Sequence, residues 1–513
     1  MAAWANGYVR DIEYSSHFYR ELSPAHLSFA ALGQGVRPPL TGDGATYCEL
    51  GCGQGLGTII VAATHPRMHV WGFDFNPAHI SNAQRLAAEA RLENITFADH
   101  SFEQLLALPA GSLPSFDYIT LHGIYSWISP ENRRFIVQFI DRHLKPGGLV
   151  YVSYNCLPGW STSAPLQRLL REHALRGPDR SDRQMEAALG FTKKLMDAKA
   201  VYFEQNPSVG KRFEKLPTSD KHYLAHEYLN GHWHPLFHLD VAREMEAARL
   251  TYVASATLVE NIDRVSLPPT MVALVGETQD PAWREMLRDY ARNQQFRRDI
   301  FMRGASRMTS PEQSARIGAV QVGLTVPRDS VKLSIETPLG TIKADESTCM
   351  PMLDALSRRS HSIAELAALP ALKGKKGGAA LLALNLLIHA GCCHPFHNGG
   401  TEAWEQGQSL NQAIAARLPL GDLVGYVAIP AAGTGVRATF VELVLLHGLM
   451  SGVSQDARKL AEFAWSVMER SGRRLVKDQK RVETKQENLA LLEAELPSLI
   501  ANSVPMWKSL GIL

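Results

Sequence analysis

The residues of this chain best suited to chemistry gather where short apolar stretches end. Glu49-Leu50-Gly51-Cys52-Gly53-Gln54-Gly55 lies between a predicted strand, Tyr47–Leu50, and a predicted helix, Leu56–His65. Glycines there let the backbone turn tightly and approach a ligand with no Cβ in the way. The helix N-terminus behind them offers free N–H groups to an electronegative ligand group. Glu49 closes the strand just before the glycines, where a carboxylate can meet a cationic ligand. The G-x-G-x-G spacing also departs from the dinucleotide pattern G-x-G-x-x-G. Asp74 ends a second predicted strand, placed to accept both hydroxyls of a ribose. Asp99 ends a third, and with Ser101 and Phe102 after it that edge suits an adenine. Past the fourth and fifth strands stand His122, Tyr125, Trp127, Tyr154, Asn155 and Trp160. Their aromatic faces can stabilise a cation or an incoming amine. Each has a plainer reading: aspartates cap helices, Tyr125 and Trp127 fill an interior, and His122 only holds a hydrogen bond.

Positioning these groups requires a repeating strand–helix unit. Strands are predicted at His69–Phe73, Asn94–Ala98, Phe116–Leu121 and Leu149–Tyr154, with helices at Pro77–Arg91 and Glu131–Leu144 between them. That rhythm predicts an α/β fold, a doubly wound and mostly parallel sheet covered on both faces. Such sheets bind ligands at the carboxyl ends of their strands. After Pro158-Gly159 the pattern turns helical to about Arg249, read as an insertion over the mouth of the site. Thr251–Leu258 and Gln295–Met302 are expected to return two late strands to the sheet. From about Ser310 a separate portion is expected, β-rich at Val331–Lys343 and then helical, with a winged-helix-like segment and a helical tail. The divisions expected are 1–160, 161–308, 309–410 and 411–513.

Composition narrows the partners. With 53 basic and 51 acidic residues the chain carries no field that would steer it to nucleic acid or a charged membrane. Six cysteines in 513 residues suit reduced thiols in a cytoplasm. No apolar window reaches the roughly 18 residues of a membrane span, so membrane insertion is not expected. The amino-terminal residues do not read as a secretory signal. His222, His226, His232, His234 and His238 lack the spacing and carboxylate of a metal site, and Cys392, Cys393, His394 and His397 lack a second ligand pair. No metal is expected. Lys373, Lys375 and Lys376 precede an apolar helix with almost no side chains able to read bases.

The motif series Glu49 to Gly55, Gly72-Phe73-Asp74, Ala98-Asp99 and Leu144-Lys145-Pro146-Gly147-Gly148 resembles that of class I S-adenosylmethionine-dependent methyltransferases. By that resemblance Glu49, Gly51, Gly53 and Gly55 hold the amino acid portion of S-adenosylmethionine, Asp74 the ribose, and Asp99 with His100 the adenine edge. Phe75, Ser101, His122 and Tyr19 complete the expected cofactor contacts, Tyr19 from an arm with Tyr8 and Tyr14 that folds over the cofactor. A narrower resemblance rests on His122 to Trp127, Ser153 to Trp160, Tyr228-Leu229, Leu250 to Val253, Phe296 to Asp299 and Gly421 to Gly435. These are similar to bacterial methyltransferases carrying a methyltransferase regulatory domain, a group that includes rickettsial protein lysine methyltransferases. The resemblance implies methyl transfer to a protein lysine amine, with His122, Tyr125, Trp127 and Asn155 as candidate catalytic residues, and a homodimer. A small metabolite or peptide acceptor stands as the alternative, and a non-catalytic binding scaffold as a weaker third reading.

Overall fold

A computed structural model of the chain describes residues 9, 11, 12 and 17–513, apart from 376, 398 and 479. Helix α1 (Pro24–Gly33) precedes the alternating unit β1 (Thr46–Leu50), α2 (Leu56–Thr64), β2 (His69–Asp74), α3 (Pro77–Glu89), β3 (Ile95–Asp99), α4 (Phe102–Ala107), β4 (Phe116–Leu121), α5 (Pro130–His143) and β5 (Leu144–Asn155). The late strands are β6 (Leu250–Ser255) and β7 (Phe296–Arg303). Together they form one seven-stranded sheet in the order β3-β2-β1-β4-β5-β7-β6. Only β7 runs against its neighbours, β5 and β6. The doubly wound α/β fold expected from the sequence is therefore present, and β1 is buried along its whole length.

Two departures have local causes. Helix α4 was absent from the expected pattern, yet Ser101 caps it and Gln104 returns the bond to the Ser101 N–H. This reciprocal cap is how a six-residue helix can hold its first turn. Strand β5 begins at Leu144 rather than Leu149, because the Pro146-Gly147-Gly148 segment is taken into the strand with a register shift opposite Phe116 and Tyr118.

Helices Ala164–Ala174, Ser181–Asp197 and Lys221–Tyr228 pack on one another beyond β5. Their core joins Leu166, Leu170, Met185 and Leu224 to Val9, Ile12 and Trp160. Further on, Gln321–Leu324 pairs with His361–Ser362 and Cys393–Pro395 in a small sheet. Helix Gly400–Ala416 lies on α2 and α3, and Arg417 reaches Glu89 at 2.7 Å. A single apolar core runs from α1 and α2 through Leu384 and Leu445 to Leu510. Among the described residues no helix is long and apolar enough to cross a membrane.

A buried ion cluster fastens the late strands. The Arg297 guanidinium donates to Asp299 at 2.9 Å and to Glu285 at 2.9 Å, and also contacts Asp289. Asp299 accepts in addition from the Tyr154 hydroxyl at 2.6 Å and lies 2.9 Å from His238 Nδ1. Removing one partner of such a buried set leaves uncompensated charge. Arg297→Met should therefore lower the unfolding free energy by about 3–5 kcal/mol, measured by urea denaturation. A loss under about 1 kcal/mol would show that the cluster does not hold β7 in place.

Candidate active site

A cavity of about 510 Å³ opens at the carboxyl ends of β1, β2, β4 and β5. Its further walls come from the start of β7, helix Lys221–Tyr228 and the segment His17–Tyr19.

The glycine loop builds one side. Gly51 and Cys52 donate their N–H groups to the Phe73 carbonyl at 2.7 and 3.0 Å, folding the loop over the end of β2. Gly51, Gly53 and Gly55 all have left-handed backbones, with φ of +73°, +54° and +73°. They serve different ends. A Cβ on Gly55 would sit 2.6 Å from the Ala83 Cβ, and one on Gly51 would sit 2.9 Å from Ile124. A Cβ on Gly53 would meet nothing within 4 Å. Gly51 and Gly55 thus permit packing, while Gly53 keeps the surface of the cavity open.

Two carboxylates stand beside the loop. Asp74 accepts from the N–H of Gly53 at 3.0 Å and of Asn76 at 2.9 Å, and His79 Nδ1 lies 3.3 Å from it, so its orientation is set from both sides. Glu49 is buried and accepts the Thr58 hydroxyl at 2.6 Å on one oxygen. Burial lifts its carboxyl to about 7, with Thr58 opposing the rise and the charge of Asp74 adding to it. Phe75, His100, Ser101 and Phe102 continue the wall. His100 Nδ1 is buried without a hydrogen-bond partner among the described residues. Asp99 pairs in register with Asp74, but β3 is the edge strand, and Asp99 is exposed outside the cavity lining.

The other side is aromatic. The Tyr19 ring stacks on His122 with centroids 3.6 Å apart. His122 Nδ1 is 2.8 Å from the Tyr151 hydroxyl and 3.3 Å from Ser153 Oγ. Burial, with the nearby charge of Arg298, lowers its pKa to about 3. His122 is therefore neutral and weakly basic, fitted to orient a ligand rather than to accept its proton. Trp127 lines the cavity and donates from Nε1 to the Glu227 carbonyl at 3.4 Å. Asn155 and Trp160 line it as well.

Tyr125 is not brought to the site. It is fully buried, and its hydroxyl donates to Glu244 at 2.5 Å beside Arg133. Tyr154 is likewise turned away into the Arg297 cluster, because successive side chains of a strand point to opposite faces and its neighbour Asn155 takes the cavity. Tyr8 and Tyr14 lie outside the described residues. Several lining residues carried no signal in the strand-end pattern: His17, Tyr223, Glu227, Asn230, Phe296 and Arg298. Tyr223, Glu227 and Asn230 recur at helical spacing, one face of helix Lys221–Tyr228 and its end. Arg298 is paired with Glu21 at 4.0 Å and stacks over Phe296.

The glycines make separable expectations. Gly55→Ala should destabilise the fold by about 2–5 kcal/mol, from a left-handed backbone together with the clash at Ala83. Gly53→Ala should cost only the backbone part, about 1–2 kcal/mol, and weaken ligand binding instead. Thermal unfolding and calorimetry on both variants check the pair; equal destabilisation would refute the division.

A family model described as a methyltransferase domain matches residues 48–150, and one described as a predicted methyltransferase regulatory domain matches residues 220–303. An uncharacterized protein of Synechocystis sp. is 36% identical over 511 residues, 99% of each chain. An uncharacterized protein of Rickettsia prowazekii is 27% identical over 290 residues, 56% of this chain and 51% of that one. Among solved structures, PKMT2 from Rickettsia typhi in complex with AdoHcy shares the fold with a TM-score of 0.69 at 18% identity, over 97% of this chain and 99% of that one. The chain belongs to the S-adenosylmethionine-dependent methyltransferases that carry a methyltransferase regulatory domain.

Proposed function

We propose that the chain methylates a lysine amine of a protein, binding its methyl donor along the glycine loop and the acceptor against the aromatic wall. The observation that carries this reading is the meeting of two unlike halves in one cavity: Glu49, Gly53 and Asp74 on one side, Tyr19, His122, Trp127 and Asn155 on the other. The volume of about 510 Å³ suits a cofactor with an acceptor side chain beside it. The donor half also fits its group. Glu49 has an oxygen beyond the one Thr58 occupies, Gly53 leaves open space, and His100 Nδ1 is a buried atom wanting a partner. When bound, S-adenosylmethionine supplies a methyl carbon on a cationic sulfur, open to in-line displacement. Glu49 would hold its ammonium, Asp74 its ribose hydroxyls, and Phe75, His100 and Ser101 its adenine.

The residues of the chain do the rest by placement. Aligning nucleophile and methyl is worth roughly 7–11 kcal/mol of barrier. Tyr19 and Trp127 strip water from an incoming ammonium, which lowers its pKa and favours the reactive free amine. Neutral His122 and the Asn155 amide orient that amine. The likeness of fold to PKMT2, solved with AdoHcy, and the resemblance to rickettsial protein lysine methyltransferases support the acceptor. The 161–308 portion then acts as cover over the acceptor, and its exposed Leu175, Phe191 and Val201 fit a homodimer contact.

The test is mass spectrometry of proteins from cells with and without the active chain, where methyl groups are expected on lysines. Label found only on a small metabolite would transfer the assignment to that acceptor class. Trp127→Ala should lower methyl transfer far more than cofactor affinity, whereas Asp74→Ala should weaken cofactor binding by about 1–3 kcal/mol in calorimetry. Because the Glu49 carboxyl stands near 7, it is largely protonated below that pH. An arriving ammonium favours its ionised form, so cofactor binding just below neutral pH should release a proton. Calorimetry in buffers of unlike ionisation enthalpy would detect it; identical heats would remove Glu49 from this role.

A further inference from the structure

The regulatory-domain helix Lys221–Tyr228 brings a third acid, Glu227, into the cavity of Glu49 and Asp74. Glu227 is half-buried and lines this cavity. Its main chain is tied to the aromatic wall, since the Glu227 carbonyl accepts from Trp127 Nε1 at 3.4 Å. Its carboxyl stands beside the Asn155 amide, within electrostatic reach of Arg212 on helix Pro207–Phe213 and of the phenols Tyr19, Tyr223 and Tyr228. The Arg212 guanidinium carbon itself lies over Trp160, 3.9 Å from the ring centroid. An acid framed by Tyr19, Trp127 and Tyr223 is the environment that a primary ammonium would seek.

We infer that Glu227 receives the acceptor: its carboxylate binds the incoming lysine ammonium and takes one proton from it before methyl transfer. The inference rests on the lysine reading above. In the first step an ammonium N–H bond breaks and an O–H bond forms on Glu227, leaving a neutral amine and a neutral acid. In the second, the nitrogen lone pair forms a bond to the methyl carbon while the carbon–sulfur bond breaks, its electron pair staying on sulfur. The product nitrogen is a methylated ammonium, and Glu227 returns its proton to solvent as the product leaves.

In water this proton transfer would be uphill by roughly 6 pK units. The cavity narrows the gap from both ends, because desolvation lowers the pKa of an ammonium and raises that of a carboxylic acid. Burial raises Glu227 to about 7, with the Asn155 amide and Arg212 opposing the rise. His122, at about 3, is too weak a base to compete, and Asn155 accepts no proton.

The sign of the pH dependence follows. Only ionised Glu227 can act, so transfer should rise as pH passes upward through about 7. The experiment uses the full chain, methyl-labelled S-adenosylmethionine at saturation so that the ionisation of Glu49 on cofactor binding does not enter, and a protein extract of cells lacking the chain, across roughly pH 5.5–9. Glu227→Gln should lower lysine labelling by about 100-fold or more and abolish the inflection near neutrality. Its calorimetric affinity for S-adenosylmethionine and its melting temperature should be unchanged, and Glu227→Asp should keep the inflection with part of the rate. If E227Q loses affinity or stability, E227D decides: an unchanged melting temperature with no inflection would overturn the inference. Lysine labelling by E227Q within about threefold of wild type, or with the inflection kept, would also overturn it. If wild type labels no protein amine, the lysine reading fails first and takes this inference with it.

Discussion

Arg297 holds a guanidinium almost wholly out of water, and keeping it paired organises the middle of the molecule. A buried cation is tolerable only with matched partners in good geometry. Those partners come from three elements besides its own strand: Glu285 and Asp289 from helix Pro281–Arg292, His238 from helix His238–Glu246, and Tyr154 from β5 through Asp299. Three carboxyl groups face Arg297, and Arg288, on the same helix as Glu285 and Asp289, answers only one of them, Glu285. Burial raises Asp289 to about 6, against the pull of Arg297 and His238, so this acid takes up a proton most readily. The cluster also sets the register of the active-site wall. With Arg297 and Asp299 committed to one face of β7, strand alternation sends Phe296 and Arg298 to the other, where the cavity lies. By the same alternation on β5, anchoring Tyr154 presents Asn155.

How much of this was legible beforehand depends on the range of the interaction. The sheet and the glycine loop are local in sequence: strand, turn and helix follow one another, and Glu49 and Asp74 sit at strand ends by pattern alone. The loop's left-handed φ values and the differing surroundings of Gly53 and Gly55 refine that reading without displacing it. Tyr125 and Tyr154 show where pattern stops. Each lies in a stretch rich in site residues, yet each is claimed by an acid more than a hundred positions away, Glu244 or Asp299. Nothing in the neighbouring residues announces that competition. Glu227 fails in the opposite direction, since it sits on a helix distant from every strand-end motif. Its signal was the helical spacing of Tyr223, Glu227 and Asn230, which reads as ordinary amphipathicity until the helix is seen over the sheet.

Three of the histidines between positions 222 and 238 make separate contacts. His238 serves Asp299, His226 faces the Ile12 carbonyl, and His232 packs near His234. Farther along, the helix Ala379–His389 is drawn into the common core, and Lys375 beside it pairs with Asp345 at 3.1 Å. Cys393 and His394 are buried in the small sheet, with His394 Nδ1 against the Pro395 carbonyl. This half supports the sheet from outside: Gly400–Ala416 lies on α2, the helix that begins at the glycine loop, and so braces the loop from behind.

The electrostatic design of the cavity follows from the same balance. Its described lining holds three acids, Glu49, Asp74 and Glu227, and one arginine, Arg298. Arg298 is already answered by Glu21, whose carboxyl burial alone would raise but which Arg298, His26 and Arg20 hold at about 2. Of the lining histidines, burial holds His122 at about 3 and His226 at about 4, so neither offsets charge, and His79 lies 3.3 Å from Asp74. Two of the three acids, Glu49 and Glu227, consequently rest near 7, the condition of carboxyls buried without sufficient countercharge. A site in that state gains most from ligands that bring positive charge. The donor of this family carries a sulfonium and an ammonium, and a lysine acceptor carries a second ammonium. Under the proposed lysine reading that ammonium would add to the Asn155 amide and Arg212 in answering Glu227.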